Sequence, residues 1–282
     1  MRQRFRTNVL RSSESVDGPL TAERNLTGLV SVIVPFHGDP LKLLRAVESV
    51  AAQTVAVVEV LVVDDADPNG PSAVALLQAH DWPFRLRTFA HERNQGPGDA
   101  RNTGWLAADP RVAYLAFLDA DDTWHPRKIA VQTAWMLDHP AFSWSAHRCG
   151  KPHGRDVSLP VRYREISMGD LLLSNPVATP TVMTRRDILP RFREGWRYCE
   201  DLLLWLDWLA SGHRGAMLDL PLTELGRRPK TPGGMTGQLA QMHDGELRVI
   251  ETLQSEGRLS AWAALGWRSS MRLKYLLRRI EP

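Results

Sequence analysis

The chain has 282 residues, a formal net charge of +3 and 43% hydrophobic residues, as in an ordinary globular protein with one large α/β domain or two small ones. So small a charge gives no support for a nucleic-acid partner, and no run approaches the ~18 apolar residues of a membrane span. Cys149 and Cys199 lack metal-ligand or redox spacing, which fits a reducing compartment. Residues 1–28 lack the apolar core of a secretory signal, so we predict a flexible N-terminal arm on a cytoplasmic protein.

From residue 29 onward the chain alternates segments typical of strands and helices. An apolar, β-branched run over 29–35 predicts a buried strand, the apolar spacing over 41–53 predicts a helix, and 57–63 predicts a second strand. These three form a βαβ unit, whose two strands are parallel. Asp65 should therefore leave the sheet at the same edge as Pro35 and His37.

The next motif is a glycine- and proline-containing loop that leads into a helix. It resembles a dinucleotide fingerprint, but Arg101 stands at the third glycine position and the loop does not follow the first strand. Two interpretations of Arg101 stay open: a residue close to a bound anion at a helix start, or an ordinary surface arginine.

The stretch over residues 114–122 has the strongest functional signal, because an apolar run of strand length ends in Asp119, Asp121 and Asp122. Ligands bind where buried parallel strands end, and clustered carboxylates need a cation or hydrogen-bond donors to offset their repulsion. Asp119 and Asp121 can direct oxygen ligands at a hard divalent ion and its phosphates. Helix capping explains one aspartate but not three, so we predict a metal–diphosphate site, with Asp122 as the cap of a helix at Pro126.

Two later segments carry a second functional signal. Glu200 and Asp201 open a strongly apolar helix, where they either only complement the helix dipole or stand at the rim of a buried core, where cavities form. The basic, glycine-rich segment over 226–237 holds Arg227 and Arg228 and suits a lid over phosphates, with an exposed linker as the alternative.

The C-terminal segment predicts helices, and the last of them is amphipathic. One face is apolar and the other is basic: Trp262, Leu265, Ser269, Leu273, Leu276, Leu277 and Ile280 against Arg268, Arg272, Lys274, Arg278 and Arg279. Such a helix either lies on a membrane surface, through residues 260–282, or docks its apolar face on the rest of the protein.

Five motifs in order resemble glycosyltransferase family 2, the inverting nucleotide-sugar transferases with the GT-A fold. They are Ser31-Val32-Ile33-Val34-Pro35-Phe36-His37, Val62-Val63-Asp64-Asp65, Ala100-Arg101-Asn102-Thr103-Gly104, Phe117-Leu118-Asp119-Ala120-Asp121-Asp122 and Glu200-Asp201. The resemblance implies an α/β fold of GT-A type, Rossmann-like, with three α/β/α layers and a mainly parallel sheet. It places the transferase domain over 29–237 and leaves 238–282 as a helical extension.

The resemblance also implies which residues bind the donor. Pro35, His37 and Asp65 would line the nucleobase pocket, Asp119 would approach the ribose, and Asp121 would coordinate Mn²⁺ or Mg²⁺ at the diphosphate. A nucleoside diphosphate sugar, with a UDP-sugar favoured, is the implied donor, and a glycan or lipid-linked hydroxyl is the implied acceptor.

On the acceptor side, Asp201 would be the general base and Glu200 its orienting neighbour. Arg101 would hold the conformation or face a phosphate, and the lid with Arg227 and Arg228 would cover the diphosphate. A carboxylate that removes the acceptor proton, opposite one leaving group, gives single displacement with inversion.

The chain departs from the family pattern in three places. Ala66-Asp67 follows the second strand where Gly-Ser is common, and the 226–237 segment lacks a histidine, which leaves His243 as a distant substitute for a third metal ligand. The absence of a Gln-x-x-Arg-Trp motif and of membrane spans favours transfer of one sugar per encounter. We expect the protein to be cytoplasmic, either free or bound peripherally to the inner face of the membrane.

Two other classes of protein compete with this interpretation. A non-catalytic nucleotide-sugar binding protein on the same fold is the alternative, and the presence of both Asp121 and Asp201 disfavours it. A sugar-1-phosphate nucleotidyltransferase is set aside, because Pro35-Phe36-His37-Gly38 is not the glycine-rich loop that such enzymes need.

Overall fold

The structure is a computed structural model, and it describes residues 26–150, 161–226 and 238–280. Its first half alternates strands and helices: β1 (Val30–Phe36), α1 (Pro40–Ala51), β2 (Glu59–Asp64), α2 (Gly70–Gln78), β3 (Arg85–Ala90), α3 (Pro97–Ala107) and β4 (Tyr114–Phe117). Strands β3, β2, β1 and β4 lie side by side in that order and are all parallel, as the βαβ pattern predicts.

The second half extends the sheet with mixed directions. It contains β5 (Thr123–Trp124), α4 (Lys128–Asp138), β6 (Trp144–Cys149), β7 (Tyr163–Glu165), α5 (Met168–Ser174), β8 (Met183–Arg185), α6 (Glu200–Ala210), β9 (Gly215–Glu224), α7 (Leu239–Ser255) and α8 (Ala261–Ile280). The sheet continues from β4 through β8, β6 and β9 to β5, with β7 on the side of β9. Strand β8 is antiparallel to both β4 and β6.

Helices cover both faces of the sheet, which gives the predicted three α/β/α layers. On one face Val32 and Val34 pack with Leu43 and Val47 of α1. On the other face Ile33 packs with Trp105 of α3, in the same core as residues from α5 to α8. Because side chains alternate along a strand, β1 contributes residues to the cores on both faces of the sheet.

Helix α3 approaches β1 unusually closely, at Gly104. A Cβ atom at this position would lie 2.5 Å from Ile33 Cγ2, so a larger residue would push the helix away from the strand. The glycine of the Ala-Arg-Asn-Thr-Gly motif thus sets the helix depth, and Arg101 lies one turn before it.

Strand β9 is the largest element that the sequence pattern does not predict. Pro221 interrupts its apolar alternation, and its register with β6 shifts on both sides of Arg148. Among the described helices, none combines the length and apolar character required to cross a bilayer.

Candidate active site

The carboxyl ends of β1, β2 and β4 meet at one edge of the sheet. Pro35 pairs with Val63 and Phe36 with Asp64, and the Asp65 N–H donates to the Phe36 carbonyl over 2.9 Å. The prediction that Asp65 leaves the sheet beside Pro35 and His37 is therefore confirmed.

Asp65 organises the loop that leads into α3. Its carboxylate accepts hydrogen bonds from the backbone N–H groups of Gln95 at 2.8 Å and Gly96 at 2.7 Å, and His91 Nδ1 lies 2.8 Å away. The side chain is buried, whereas that of His37 is 51% exposed. Asp65 thus fixes the loop that leads into α3, whereas about half of the His37 side chain is accessible to solvent.

Residues 119–122 form a compact acidic turn after β4, closed by a hydrogen bond from Asp122 N–H to the Asp119 carbonyl over 3.0 Å. Asp122 is buried, and its Oδ1 accepts from the Gly226 N–H at 2.8 Å. The predicted capping role of Asp122 is wrong: α4 begins at Lys128, and no side chain caps it. The partner of Asp122 instead comes from the segment that follows β9.

The carboxylates of this turn are mutually repulsive. Burial first, and then the negative charges of Asp119 and Asp121, raise the pKa of Asp122 to about 8, although the Gly226 hydrogen bond opposes the rise. Such crowding is relieved by positive charge. A cation or a positively charged side chain is therefore favoured beside the turn.

Gly226 is pressed against the backbone of this turn. A Cβ atom at residue 226 would lie 1.6 Å from the Asp121 carbonyl oxygen, a distance that the backbone cannot accommodate.

We expect Gly226→Ala to displace the turn, to destabilise the fold by about 1–3 kcal/mol and to abolish stabilisation by nucleotide sugars in thermal unfolding. Gly266→Ala, with nothing within 4 Å of the added Cβ, is the matched control and should be neutral or stabilising. Unchanged nucleotide-sugar binding in Gly226→Ala would contradict the role of this contact.

Arg101 joins the acidic turn to the start of α6. Its Nη2 lies 2.6 Å from Asp119 Oδ1 and its Nη1 lies 3.6 Å from Glu200 Oε1. Burial alone would lower the pKa of Arg101, but Asp119 and Glu200 raise it above its ordinary value. The surface-arginine interpretation is wrong, since only 5% of the side chain is exposed.

The guanidinium of Arg101 packs over the ring of Phe192, with 5.4 Å between Cζ and the ring centroid. Asn102 fixes Phe192 by donating to its carbonyl over 2.7 Å and accepting from its N–H over 3.2 Å. Nε and Nη1 of Arg101 are buried and donate no hydrogen bond within the described residues, although Nη1 faces the Glu200 carboxylate. No sequence signal pointed to Phe192, which lies in an irregular segment.

Glu200 and Asp201 stand at the first turn of α6, a helix anchored by the buried Trp205 and Trp208. Burial, followed by repulsion from Asp201, raises the pKa of Glu200 to about 7, although Arg101 opposes this. Burial also raises the pKa of Asp201, while the Leu202 N–H, 2.7 Å from Oδ1, lowers it. Both carboxylates thus have a stronger affinity for protons than ordinary surface acids.

The raised pKa of Glu200 makes stability depend on pH. The folded state binds the Glu200 proton more tightly than the unfolded state, where the pKa is near 4.5. The stability gained from this tighter proton binding is present at low pH and is lost as pH rises through about 7. We expect the free energy of unfolding of Glu200→Gln to be about 1–3 kcal/mol higher than that of the wild type at pH 8. At pH 4.5 the two free energies should differ little. Urea unfolding at both pH values measures this, with the exposed Glu92→Gln as control. Equal differences at the two pH values would contradict it.

Other predicted site residues lie elsewhere or outside the described residues. His243 is buried on α7 and stacks on Tyr275 with 4.4 Å between ring centroids. Arg227 and Arg228, with the rest of the predicted lid after Gly226, lie outside the described residues, as do residues 1–25 of the predicted arm. In the part of the chain that the structure describes, no three His, Cys, Asp or Glu side chains converge as a metal site.

The fold is shared with glycosyltransferases of known structure. TarS of S. aureus in complex with UDP-GlcNAc matches with a TM-score of 0.61 and 20% identity, over 79% of this chain and 65% of that chain. The mannosyltransferase PcManGT of Pyrobaculum calidifontis, in complex with GDP-Man and Mn²⁺, matches with a TM-score of 0.60 and 17% identity, over 90% and 75%. These similarities establish the fold, which is the GT-A fold predicted from the sequence.

Sequence comparison gives the family. The model for "Glycosyl transferase family 2" matches residues 31–191, which is more than half of the chain. The glucosyltransferase WfgD of Escherichia coli, named UDP-Glc:alpha-D-GlcNAc-diphosphoundecaprenol beta-1,3-glucosyltransferase, is 30% identical over 67% of this chain and 73% of its own length. The putative teichuronic acid biosynthesis glycosyltransferase TuaG of Bacillus subtilis is 29% identical over 67% and 75%.

A third relative is considerably longer than this chain. An uncharacterized glycosyltransferase of Rickettsia felis is 31% identical over 70% of this chain but only 32% of its own length, so the chain spans about a third of it. The chain belongs to glycosyl transferase family 2, which confirms the family predicted from the five motifs.

Proposed function

We propose that this protein is a metal-dependent inverting glycosyltransferase that moves one sugar from a nucleoside diphosphate sugar to a hydroxyl of a glycan or lipid-linked acceptor. One observation carries the proposal: Arg101 lies within 2.6 Å of Asp119 and 3.6 Å of Glu200. The acidic turn after β4 and the carboxylates at the start of α6 are therefore parts of a single cluster, with a donor side and an acceptor side.

On the donor side, the nucleotide would lie at the sheet edge between the loop held by Asp65 and the acidic turn. Pro35, His37 and Asp65 line the base, with a UDP-sugar as the favoured donor, and Asp119 approaches the ribose. Arg101 would direct its positive charge at the phosphates; its Nε has no hydrogen-bond partner among the described residues, and a guanidinium forms charge-assisted hydrogen bonds with phosphate oxygens.

The acidic turn fits a divalent cation by its chemistry. Carboxylate oxygens are the ligands that Mn²⁺ and Mg²⁺ prefer. Burial, and then the charges of the neighbouring carboxylates, raise the pKa of Asp122, and a cation would relieve the repulsion between these charges. Asp121 would hold the ion, together with oxygens of the diphosphate. When bound, such an ion supplies positive charge against the leaving diphosphate.

On the acceptor side, Asp201 is the general base. The hydroxyl of a sugar is a poor nucleophile until a carboxylate takes its proton, and the raised pKa of Asp201 makes that carboxylate a stronger base than an exposed aspartate. Glu200 orients the site through Arg101. One base opposite one leaving group gives a single displacement, with inversion at the anomeric carbon and one sugar per encounter.

The names of two relatives support the acceptor class. WfgD acts on a diphosphoundecaprenol-linked sugar, and TuaG is assigned to teichuronic acid biosynthesis. We therefore propose a role in polysaccharide or cell-envelope synthesis at the cytoplasmic face of the membrane, with a lipid-linked acceptor preferred.

A thermal-unfolding panel of UDP-, GDP- and dTDP-sugars, each with and without Mn²⁺, tests the donor side of this proposal. Preferential stabilisation by one nucleotide sugar, and only with the metal, is the expected result, because a ligand that binds the folded state alone raises its stability. Lack of stabilisation by every nucleotide sugar under both conditions would contradict the proposal.

A further inference from the structure

The last helix, α8, leaves a row of large apolar side chains in solvent. Trp262 is 84% exposed, Leu273 58% and Leu277 53%, and Leu265 and Leu276 are also more than half exposed. These five side chains, here called the α8 ridge, span about 22 Å along the helix axis. They belong to the apolar face predicted from the sequence; the side chain of Ile280, also on that face, lies outside the described residues.

A different stripe of the helix packs on the protein. Ala264 and Met271 are buried in the core with Val249 and Leu253 of α7. Arg278 Nη1 lies 3.2 Å from Glu246 on α7, and Lys274 Nζ donates to the Leu173 carbonyl of α5. The hypothesis that the predicted apolar face docks on the rest of the protein is therefore wrong for its described residues, because a different stripe of α8, which includes Ala264 and Met271, makes that contact.

All the charged residues of this helix are positive. Between residues 261 and 280 there are five basic residues and no acidic one, although the net charge of the whole chain is only +3. Arg272 is exposed next to Leu273, and the exposed Leu173 of α5 lies beside Lys274. Positive charge thus lies next to an exposed apolar row.

We propose that the α8 ridge docks on the surface of an anionic lipid bilayer, with Trp262 and the leucines in the headgroup–acyl boundary and with Arg272 and Lys274, which flank the ridge, among the headgroups. An amphipathic helix of this composition binds in the plane of the interface, and each basic residue near an anionic surface strengthens that binding. A second copy of the chain fits the ridge less well, because two acid-free basic helices would then lie face to face.

Helix α7 links α8 to the segment that precedes Glu200 and Asp201. Tyr275 of α8 stacks on His243 of α7, and a Cβ at Gly245 of α7 would lie 2.9 Å from the Tyr198 carbonyl. Tyr198 and Cys199 directly precede Glu200 and Asp201, so α7 joins the α8 ridge to the start of α6. A bilayer under α8 would bring lipid-borne hydroxyls close to that end of the protein. The docking itself goes beyond the proposed sugar transfer and does not depend on it.

Co-sedimentation of the full chain with vesicles tests the proposal. Vesicles of phosphatidylcholine containing phosphatidylglycerol should bind the protein, phosphatidylcholine alone should bind it weakly, and added salt should release it. Leu273→Ser with Leu277→Ser should weaken binding more than tenfold, and Arg272→Gln with Lys274→Gln by about fivefold per charge.

Matched pairs of variants control for general surface effects. Leu41 and Leu106, 59% and 63% exposed on other helices, give the control pair Leu41→Ser with Leu106→Ser, and Lys42→Gln with Arg45→Gln matches the charge pair. Both control pairs should bind as the wild type does. The proposal is overturned if anionic vesicles do not bind, if both α8 pairs bind like the wild type, or if the leucine pair instead dissolves a dimer that shows no vesicle binding. Sugar transfer to a water-soluble acceptor, measured separately, reports on the proposed function alone.

Discussion

Replacing Asp201 by asparagine is expected to lower kcat for sugar transfer by about 10²- to 10⁴-fold, the usual contribution of a general base. Asparagine keeps the size of the side chain but cannot accept the acceptor proton. Donor binding should be nearly unchanged, because the role proposed for Asp201 is confined to the acceptor. Release of the nucleoside diphosphate with and without acceptor measures the rate, and calorimetry measures donor affinity.

Asp244→Asn is the control for this variant, because Asp244 is an exposed acid on α7. Its kcat should equal that of the wild type. Normal turnover in Asp201→Asn would remove Asp201 from the role of base and would leave Glu200 as the nearest carboxylate for it.

Replacing Asp121 by asparagine is expected to remove the metal dependence of donor binding and to lower kcat/KM by about 10²- to 10³-fold or more, the scale of a lost electrostatic contact to a developing charge. The variant keeps the shape of the acidic turn and removes one negative charge from it. Titration of the donor at increasing Mn²⁺ concentration measures the effect.

Asp187→Asn serves as the comparison here, because the Asp187 side chain is 75% exposed and its ionic partner is Arg185, away from the acidic turn. It should bind donor and metal as the wild type does. Metal-stimulated donor binding in Asp121→Asn with unchanged affinity would exclude Asp121 as the metal ligand.

The sequence predicts those features of the fold that local patterns encode. The parallel β1–β4 core follows from apolar runs of strand length separated by helical spacing, and Asp65 leaves the sheet beside Pro35 for that reason. Strand β9 is absent from this prediction because Pro221 interrupts its pattern and a register shift accommodates it.

Contacts between distant segments are the part that the sequence cannot give. Asp122 pairs with the Gly226 N–H, 104 residues along the chain, and so it is not a helix cap. The local sequence is equally compatible with an exposed Arg101. Only the packing around Gly104, Asn102 and Phe192 shows that this side chain is buried. On α8, periodicity identifies the apolar face, but only the packing of Ala264 and Met271 shows that this face stays in solvent.

The most direct test of sugar transfer follows the anomeric proton by NMR while the protein, its preferred nucleotide sugar and Mn²⁺ are incubated with a lipid-linked glycan acceptor. We expect consumption of the donor and a product whose anomeric configuration is opposite to that of the donor, with neither in Asp201→Asn. A product with retained configuration, or donor consumption that is equal in the wild type and Asp201→Asn, would contradict it.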